Sequence, residues 1–405
     1  MSISQLAREI KESATLVMAE KARILREKGE PVITMAAGEP KSKAPIDAIL
    51  ACASKLNEGD VRYTPTQGIP ALVKAIIRYT EDNYNKVVGP EHVMATAGAK
   101  QAIYNLMMTI INPQDEVVIL APYWVSYPEI VKMVYGIPVI VTPEDGRFVP
   151  RMEDITRAVG SYTKAIIVNS PNNPSGAVYP PELIGELVEF CEKKKIYLIM
   201  DDIYHKLVFD GKKAVSAYEY AKDDSENSRL IVINGVSKSY AMTGFRIGWV
   251  VANKKVTAVM VNVASQNTTC PSVLLQAAAA GALNGIQSGV EALRLTLENN
   301  RNVMMTELSA FSGVTCIPPD GTFYCLPDFS AYEKDDIKLA NFLLEKALVV
   351  TVPGSEFGAP GHLRLTYCGT IKEITEGVAR IKWALDPESP NEIYIGDRKC
   401  RRDWK

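Results

Sequence analysis

Short apolar runs recur through the middle of the chain, at 117–120, 138–141, 165–168, 197–200, 230–233 and 247–251. They are rich in Val and Ile and alternate little, the pattern of strands covered on both faces. Between them lie turns and segments long enough for helices. The segment from Pro180 shows the logic: two prolines suit a first turn, and Leu183, Ile184, Leu187, Val188 and Cys191 share one face. Lys193 to Lys195 then bring positive charge to the negative end of the helix dipole. Strand, crossover helix and strand predict an α/β architecture with a mainly parallel sheet.

The texture differs at the two ends. Residues 13–30 predict a helix closed by Gly29 and Pro31. From about residue 288 a long helical stretch, 289–312, precedes short strands at 322–326, 349–351 and 363–365. The expected organisation is a large domain over 46–287 and a smaller α/β domain made of 1–45 with 288–385. Residues 386–405, dense in charge of both signs, read as a surface tail, with no reason evident for Trp404.

Composition narrows the function classes. The chain has 405 residues, 47% hydrophobic and 23% charged, the balance of a globular enzyme. With 45 basic and 47 acidic side chains the net charge is −2, so no general attraction for nucleic acid or an anionic membrane is expected. The most apolar stretch, 274–283, is interrupted by Gln276 and Gly281, and falls short of the roughly 20 residues that span a bilayer. The first ten residues lack a signal-peptide core. Seven scattered cysteines without a C-x-x-C predict free thiols, no metal site and a cytoplasmic address. No G-x-G-x-x-G follows a strand, which disfavours a nicotinamide enzyme, and the P-loop, H-E-x-x-H and G-x-S-x-G patterns are absent.

Ligands of open parallel sheets bind beyond the carboxyl ends of the strands. Those ends carry Trp124, Asn169 and Asn173, Asp201 and Tyr204, and Ser237 and Lys238, with Arg246 eight residues beyond the lysine. Singly, each has a plain structural reading as core, cap, turn or solvated charge. Together they suit pyridoxal 5′-phosphate. Its aldehyde needs an amine, its ring nitrogen a carboxylate, its ring a stacking face, and its phosphate a nest of donors. The turn Thr96-Ala-Gly98-Ala99-Lys100, leading into a helix over 101–111, offers that nest.

Ala37-Gly-Glu-Pro40, Tyr63 with Gly68-Ile-Pro, Ala121-Pro-Tyr-Trp-Val-Ser-Tyr-Pro128, Asn172-Asn-Pro-Ser-Gly176, Asp201-Asp-Ile-Tyr204 and Ser237-Lys238 with Gly244-Phe-Arg246-Ile-Gly248 occur in that order. In this combination the chain resembles the class I aminotransferases of the pyridoxal-phosphate fold type I, from about Ser13 to Ala384. It is most similar to the bacterial and plant branch that includes aspartate and prephenate aminotransferases. The resemblance implies three catalytic residues: Lys238 as Schiff-base lysine, Asp201 paired with the pyridine nitrogen, and Tyr204 on O3′ with Asn173. It implies Trp124 stacked on the ring and against the substrate. Arg246 would grip the phosphate with the main chain of Gly98 and Ala99, with Lys100 and Ser237 close by. Tyr63 would reach a phosphate across a homodimer interface, and Arg364 would hold the substrate α-carboxylate with Gly38 and Asn173.

The implied reaction is a ping-pong transfer of an amino group between an L-amino acid and a 2-oxo acid, glutamate and 2-oxoglutarate forming one pair. Once displaced by the substrate amine, Lys238 would serve as the base at Cα and deliver the proton onward. In the branch it resembles, a lysine after the phosphate turn contacts a distal carboxylate, which Lys100 matches, and aspartate is the expected donor. Ser13 and Thr15 match an N-terminal segment that closes over the substrate, and Lys11 matches a basic residue that accompanies prephenate use. The sequence departs from the family at Lys41-Ser-Lys-Ala44, where Asp-Phe-x-Thr is usual, and at Glu12, where a proline often stands. Alternatives are prephenate or aromatic transamination, a lyase reaction on the same fold, and a non-catalytic regulator that binds the cofactor.

Overall fold

The computed structural model describes residues 3–144, 146–222 and 226–404. Its centre is a seven-stranded sheet: β1 (Val93–Thr96), β2 (Glu116–Leu120), β3 (Ile137–Val141), β4 (Thr163–Asn169), β5 (Tyr197–Asp201), β6 (Leu230–Gly235) and β7 (Gly248–Val251). Their spatial order is β1-β7-β6-β5-β4-β2-β3. All neighbours are parallel except β7, which runs antiparallel to both β1 and β6.

The unalternating apolar runs have a direct physical cause. Successive side chains of a strand point to opposite faces, and here both faces are roofed. Val118, Leu120, Ile166, Val168, Leu198, Met200 and Val232 join one buried cluster, while Val117, Ile119, Ala165, Ile167, Ile199, Ile231 and Ile233 join another. The helix Pro181–Lys194 starts on a proline, ends at Lys195 in a left-handed conformation, and buries Leu183, Ile184, Leu187, Val188 and Cys191. β1 is the strand that the hydropathy pattern does not single out. It is four residues long and lies at the sheet edge beside β7.

A second packing group gathers the N-terminal helix Ala14–Glu27, helix Ser288–Ser309 and helices Asp336–Ala347 and Ile371–Leu385 around two small sheets. Leu363–Thr366 lies between Val352–Pro353 and Tyr324–Cys325, antiparallel to both. Ile33–Thr34 pairs in parallel with Val349–Val350. The expected strand at 349–351 is thus two short ones, divided at the buried Thr351.

The C-terminal segment is not loose. Glu392–Ile395 and Arg398–Arg401 form a hairpin. Trp404 packs edge-on against Trp383 and Phe342, at 5.3 and 5.5 Å between ring centres. Its indole N–H donates to Ala384 O at 3.1 Å. Among the described residues, no helix is long and apolar enough to cross a membrane.

Candidate active site

Because β2, β4, β5 and β6 are parallel, their carboxyl ends share one rim of the sheet. β7 runs the other way, so its first residue reaches the same rim: Gly248 pairs with Gly235 at the end of β6 and with Thr96 at the end of β1. Register makes the end of β4 adjacent to the end of β5, Asn169 opposite Asp201. A cavity of about 340 Å³ opens over this rim. Lys100, Trp124, Asn173, Asp201, Tyr204, Ser237, Lys238 and Arg246 line it from the sheet side. Ser13, Thr15, Gly38, Tyr324 and Arg364 line it from the second packing group.

Asp201 is 4% exposed. Tyr127 O–H donates to its Oδ2 at 2.6 Å, and Ile203 N–H makes a longer 3.4 Å contact to Oδ1. Burial pushes this carboxyl up to about 6, against the hydrogen bonds and the Lys238 charge, which pull it down. Next to it, Asp202 is pushed up to about 8 by burial, opposed by a hydrogen bond from Tyr84. Its Oδ1 has no hydrogen-bond partner among the described residues.

Lys238 Nζ donates to Gly38 O at 2.6 Å. Burial brings its ammonium down to about 8, with the Arg364 and Arg246 charges pushing the same way and Cys368 opposing. A lysine in that state carries a sizeable neutral fraction near neutrality and is a competent nucleophile and base.

Arg364 is 2% exposed and is held on all sides. Its Nη1 donates to Asn173 Oδ1 at 3.1 Å, and its Nη2 to Ala36 O at 2.9 Å and Thr15 Oγ1 at 3.4 Å. The planar group is stacked between the rings of Tyr324 and Phe357, 4.4 and 4.9 Å from their centres. Its Nε is buried without a hydrogen-bond partner among the described residues. A buried cation with an unused donor fits a carboxylate that arrives from outside.

The opposite end of the cavity is basic. Gly98 has φ +87° and caps helix Ala99–Ile110. A Cβ there would collide with the Arg246 guanidinium, so the glycine lets the arginine close over the helix start. Gly98 N–H turns back to Thr96 O at 2.8 Å. The donors left for an anion are therefore those of Ala99 and Lys100, in the first helical turn, rather than that of Gly98. Arg246 is anchored by Nη1 to Thr243 O at 2.8 Å. Lys100 Nζ sits 4.9 Å over the Trp124 ring, and partial burial, then Arg246, lower its pKa.

Two expected residues lie elsewhere. Tyr63 is 88% exposed and does not line the cavity. Lys11 lines an adjoining cleft of about 520 Å³, shared with Lys100 and Ser13. Its main-chain N–H donates to Glu129 Oε2 at 3.1 Å. Lys41, in the segment that departs from the family, is engaged by Glu373 at 2.6 Å and faces a different cleft. Sequence reasoning passed over Tyr127, Tyr324 and Phe357. Tyr127 was legible in principle, standing three residues after Trp124 in the same motif. Tyr324 lines the cavity itself and Phe357 meets it through Arg364, and both come from segments whose approach spacing cannot reveal.

The aminotransferase class I and II family model matches residues 30–381. A probable aspartate/prephenate aminotransferase from Aquifex aeolicus is 39% identical over 93% of this chain and 97% of its own length. An aspartate aminotransferase from Bacillus subtilis is 36% identical over 96% of this chain and 100% of its own. The solved aspartate aminotransferase of Thermus thermophilus with maleate superimposes with a TM-score of 0.89 at 37% identity, covering 95% of this chain and 100% of that one. An amine, a buried carboxylate and a carboxylate-ready arginine around one cavity are thus found in a chain that belongs to the class I and II aminotransferases.

Proposed function

We propose that the chain binds pyridoxal 5′-phosphate in this cavity and transfers the amino group of a dicarboxylic L-amino acid, aspartate first, to 2-oxoglutarate. The observation that carries the reading is the pairing of Lys238, a lysine with no carboxylate ion-pair partner among the described residues, with the buried Asp201 across one cavity. The chemistry of the donor set fits the cofactor. Lys238 would meet the aldehyde, Asp201 Oδ1 the ring nitrogen, Trp124 the ring face, and Tyr204 with Asn173 the phenolic oxygen. Arg246 and the start of helix Ala99–Ile110 would meet the phosphate, with Ser237 beside them. When bound, the cofactor supplies an electron sink for the pair left as a Cα proton departs.

The protein's own residues do the rest. Arg364, fixed by Asn173, Ala36 and the two rings, orients the substrate by its α-carboxylate and brings Cα toward Lys238. Lys238 takes the Cα proton, and Gly38 O at 2.6 Å is an acceptor for the resulting ammonium. Asp201 stays anionic and favours the protonated ring nitrogen. Thr15 and Ser13 close the mouth and exclude water. Lys100 provides positive charge for a distal carboxylate. The Thermus thermophilus structure contains maleate, itself a dicarboxylate, which supports that choice. Prephenate is the second reading, favoured by the adjoining cleft beside Lys11 and by the Aquifex aeolicus relative's name.

A homodimer completes this reading. Helix Ile46–Asn57 leaves Ile46, Ile49, Leu50 and Leu56 exposed, close in sequence to the exposed Val61 and Tyr63. A second copy would cover this apolar surface and receive Tyr63 at its phosphate. The proposed division is a large domain over 46–287 with the small one formed by 1–45 and 288–385, the site lying where the two meet. Cytoplasmic residence is proposed on the seven free cysteines.

The test is reconstitution with pyridoxal 5′-phosphate followed by single amino acids. A visible absorption band that Lys238→Ala abolishes, and that aspartate and glutamate bleach faster than alanine, is expected. No band with the unsubstituted protein, or no preference for dicarboxylic donors, overturns the cofactor or the substrate assignment respectively.

A further inference from the structure

Tyr127 joins two parts of the cavity that the sequence treats separately. It lies in the first turn of helix Ser126–Met133 and is 2% exposed. Its ring meets Trp124 edge-on at 5.3 Å between centres, and its main-chain N–H donates to Trp124 O at 3.0 Å. At the far end of the same ring the hydroxyl donates to Asp201 Oδ2 at 2.6 Å. One rigid side chain thus spans from the aromatic platform to the carboxylate at the floor.

The surroundings of Asp201 make this contact decisive. Asn169 Nδ2 donates to the main-chain O of Asp201 and does not touch its carboxylate. Ile203 N–H reaches Oδ1 only at 3.4 Å. Lys238 acts on Asp201 as a charge, and its ammonium donates to Gly38 O. Asp202 next in the chain and Tyr204 face the same charge without donating a hydrogen bond to it. Tyr179 lies near Tyr127 and is itself buried. Among these groups Tyr127 alone gives the carboxylate a short, charge-assisted hydrogen bond, the kind that holds an anion in a desolvated place.

We propose that Tyr127 is a positioning residue for the cofactor: it keeps Asp201 ionised and aimed at the ring nitrogen while fixing the edge of Trp124. The proposal rests on the cofactor reading above. Oδ2 is committed to Tyr127, so Oδ1 remains the oxygen offered to the cavity. The tyrosine hydroxyl is itself too buried to ionise in the working range, since burial and the Asp201 charge both raise it well above its ordinary value. It is a permanent donor.

Tyr127→Phe removes the hydroxyl and keeps the ring against Trp124. Two measurements test it in the full-length protein. In the cofactor-free protein, titration of the Asp201 carboxyl by carbon-13 NMR is expected to move upward by about one pH unit, the loss of one charge-assisted hydrogen bond. With pyridoxal 5′-phosphate, the dissociation constant is expected to rise about tenfold in Tyr127→Phe, and by much less when the same change is made in an Asp201→Asn background. An unmoved Asp201 titration, or an equal loss of affinity in both backgrounds, overturns the proposal. Failure of the unsubstituted protein to bind the cofactor would instead overturn the function reading, and the NMR titration is independent of it.

Discussion

The Arg364 guanidinium lies 4.4 Å over the ring of Tyr324, whose hydroxyl in turn reaches the Tyr204 hydroxyl at 3.5 Å. Tyr324 therefore fixes the plane in which the arginine presents its free edge. A desolvated cation–ring contact is worth about 2 kcal/mol. Tyr324→Leu is expected to raise KM for the amino donor roughly 5- to 30-fold, the span of ~1–2 kcal/mol. Tyr324→Phe, which keeps the ring, should lose much less. Steady-state kinetics on both variants checks this, and equal losses would disprove the stacking role.

Lys238 must shed a proton before it can attack an aldehyde. Its ammonium lies at about 8, below the ordinary lysine value because burial disfavours the charged form. The rate of cofactor uptake by the unliganded protein should accordingly climb as pH rises toward 8 and level off above it. Stopped-flow absorbance across pH 6 to 10 reads that profile. A rise that continues to pH 10 would place the lysine at its ordinary value.

Lys100 separates the substrate readings. Lys100→Ala should reduce turnover of aspartate at least tenfold more than turnover of an apolar amino acid, because only the former offers a second carboxylate. The ratio of kcat/KM values for the two donors measures this. Parallel losses would assign Lys100 to the cofactor end of the cavity.

Asp202 links pH to folding. Unfolded, its carboxyl releases its proton near 3.9; folded, burial holds the proton to about 8. Between those values the unfolded chain binds fewer protons than the folded one, so this group's contribution to stability falls as pH rises through the window. Asp202→Asn, neutral at every pH, should flatten that slope. Urea denaturation midpoints at pH 5 and pH 8 test it, and identical slopes in both proteins would refute it.

Trp404 ties the terminal hairpin to helices Asp336–Ala347 and Ile371–Leu385 through two ring contacts and one hydrogen bond. Trp404→Ala should destabilise the protein by about 2 kcal/mol, below the ~3–5 kcal/mol of a fully buried tryptophan. Thermal unfolding shows the loss, while kcat is expected to hold. An unchanged Tm would mean the hairpin is held by other contacts.

Much of the sheet was readable because its strands are roofed on both faces, which writes continuous runs such as 165–168 and 230–233 into the sequence. β1 was not, since four residues at an edge give no run distinct from the helix that follows. That Trp124, Asp201 and Lys238 share one cavity was readable because parallel strands deliver their ends to one rim, and Arg246 joins them because antiparallel β7 begins at that rim. What escaped depends on local backbone geometry or on contacts between distant segments. The Gly98 N–H is diverted by a bond two residues back, and Trp404 acquires its partners only once two helices have packed.

Antiparallel β7 ends at Val251, and with it the sheet is complete. Every side chain proposed to grip the cofactor from within one subunit has been synthesised by then. Arg364, the proposed reader of the substrate, comes more than a hundred residues later. A nascent chain would therefore carry every residue of the proposed cofactor floor well before it carried the arginine that selects what reacts there, and helices Lys254–Asn267 and Val273–Asn284, which help roof the sheet, follow next.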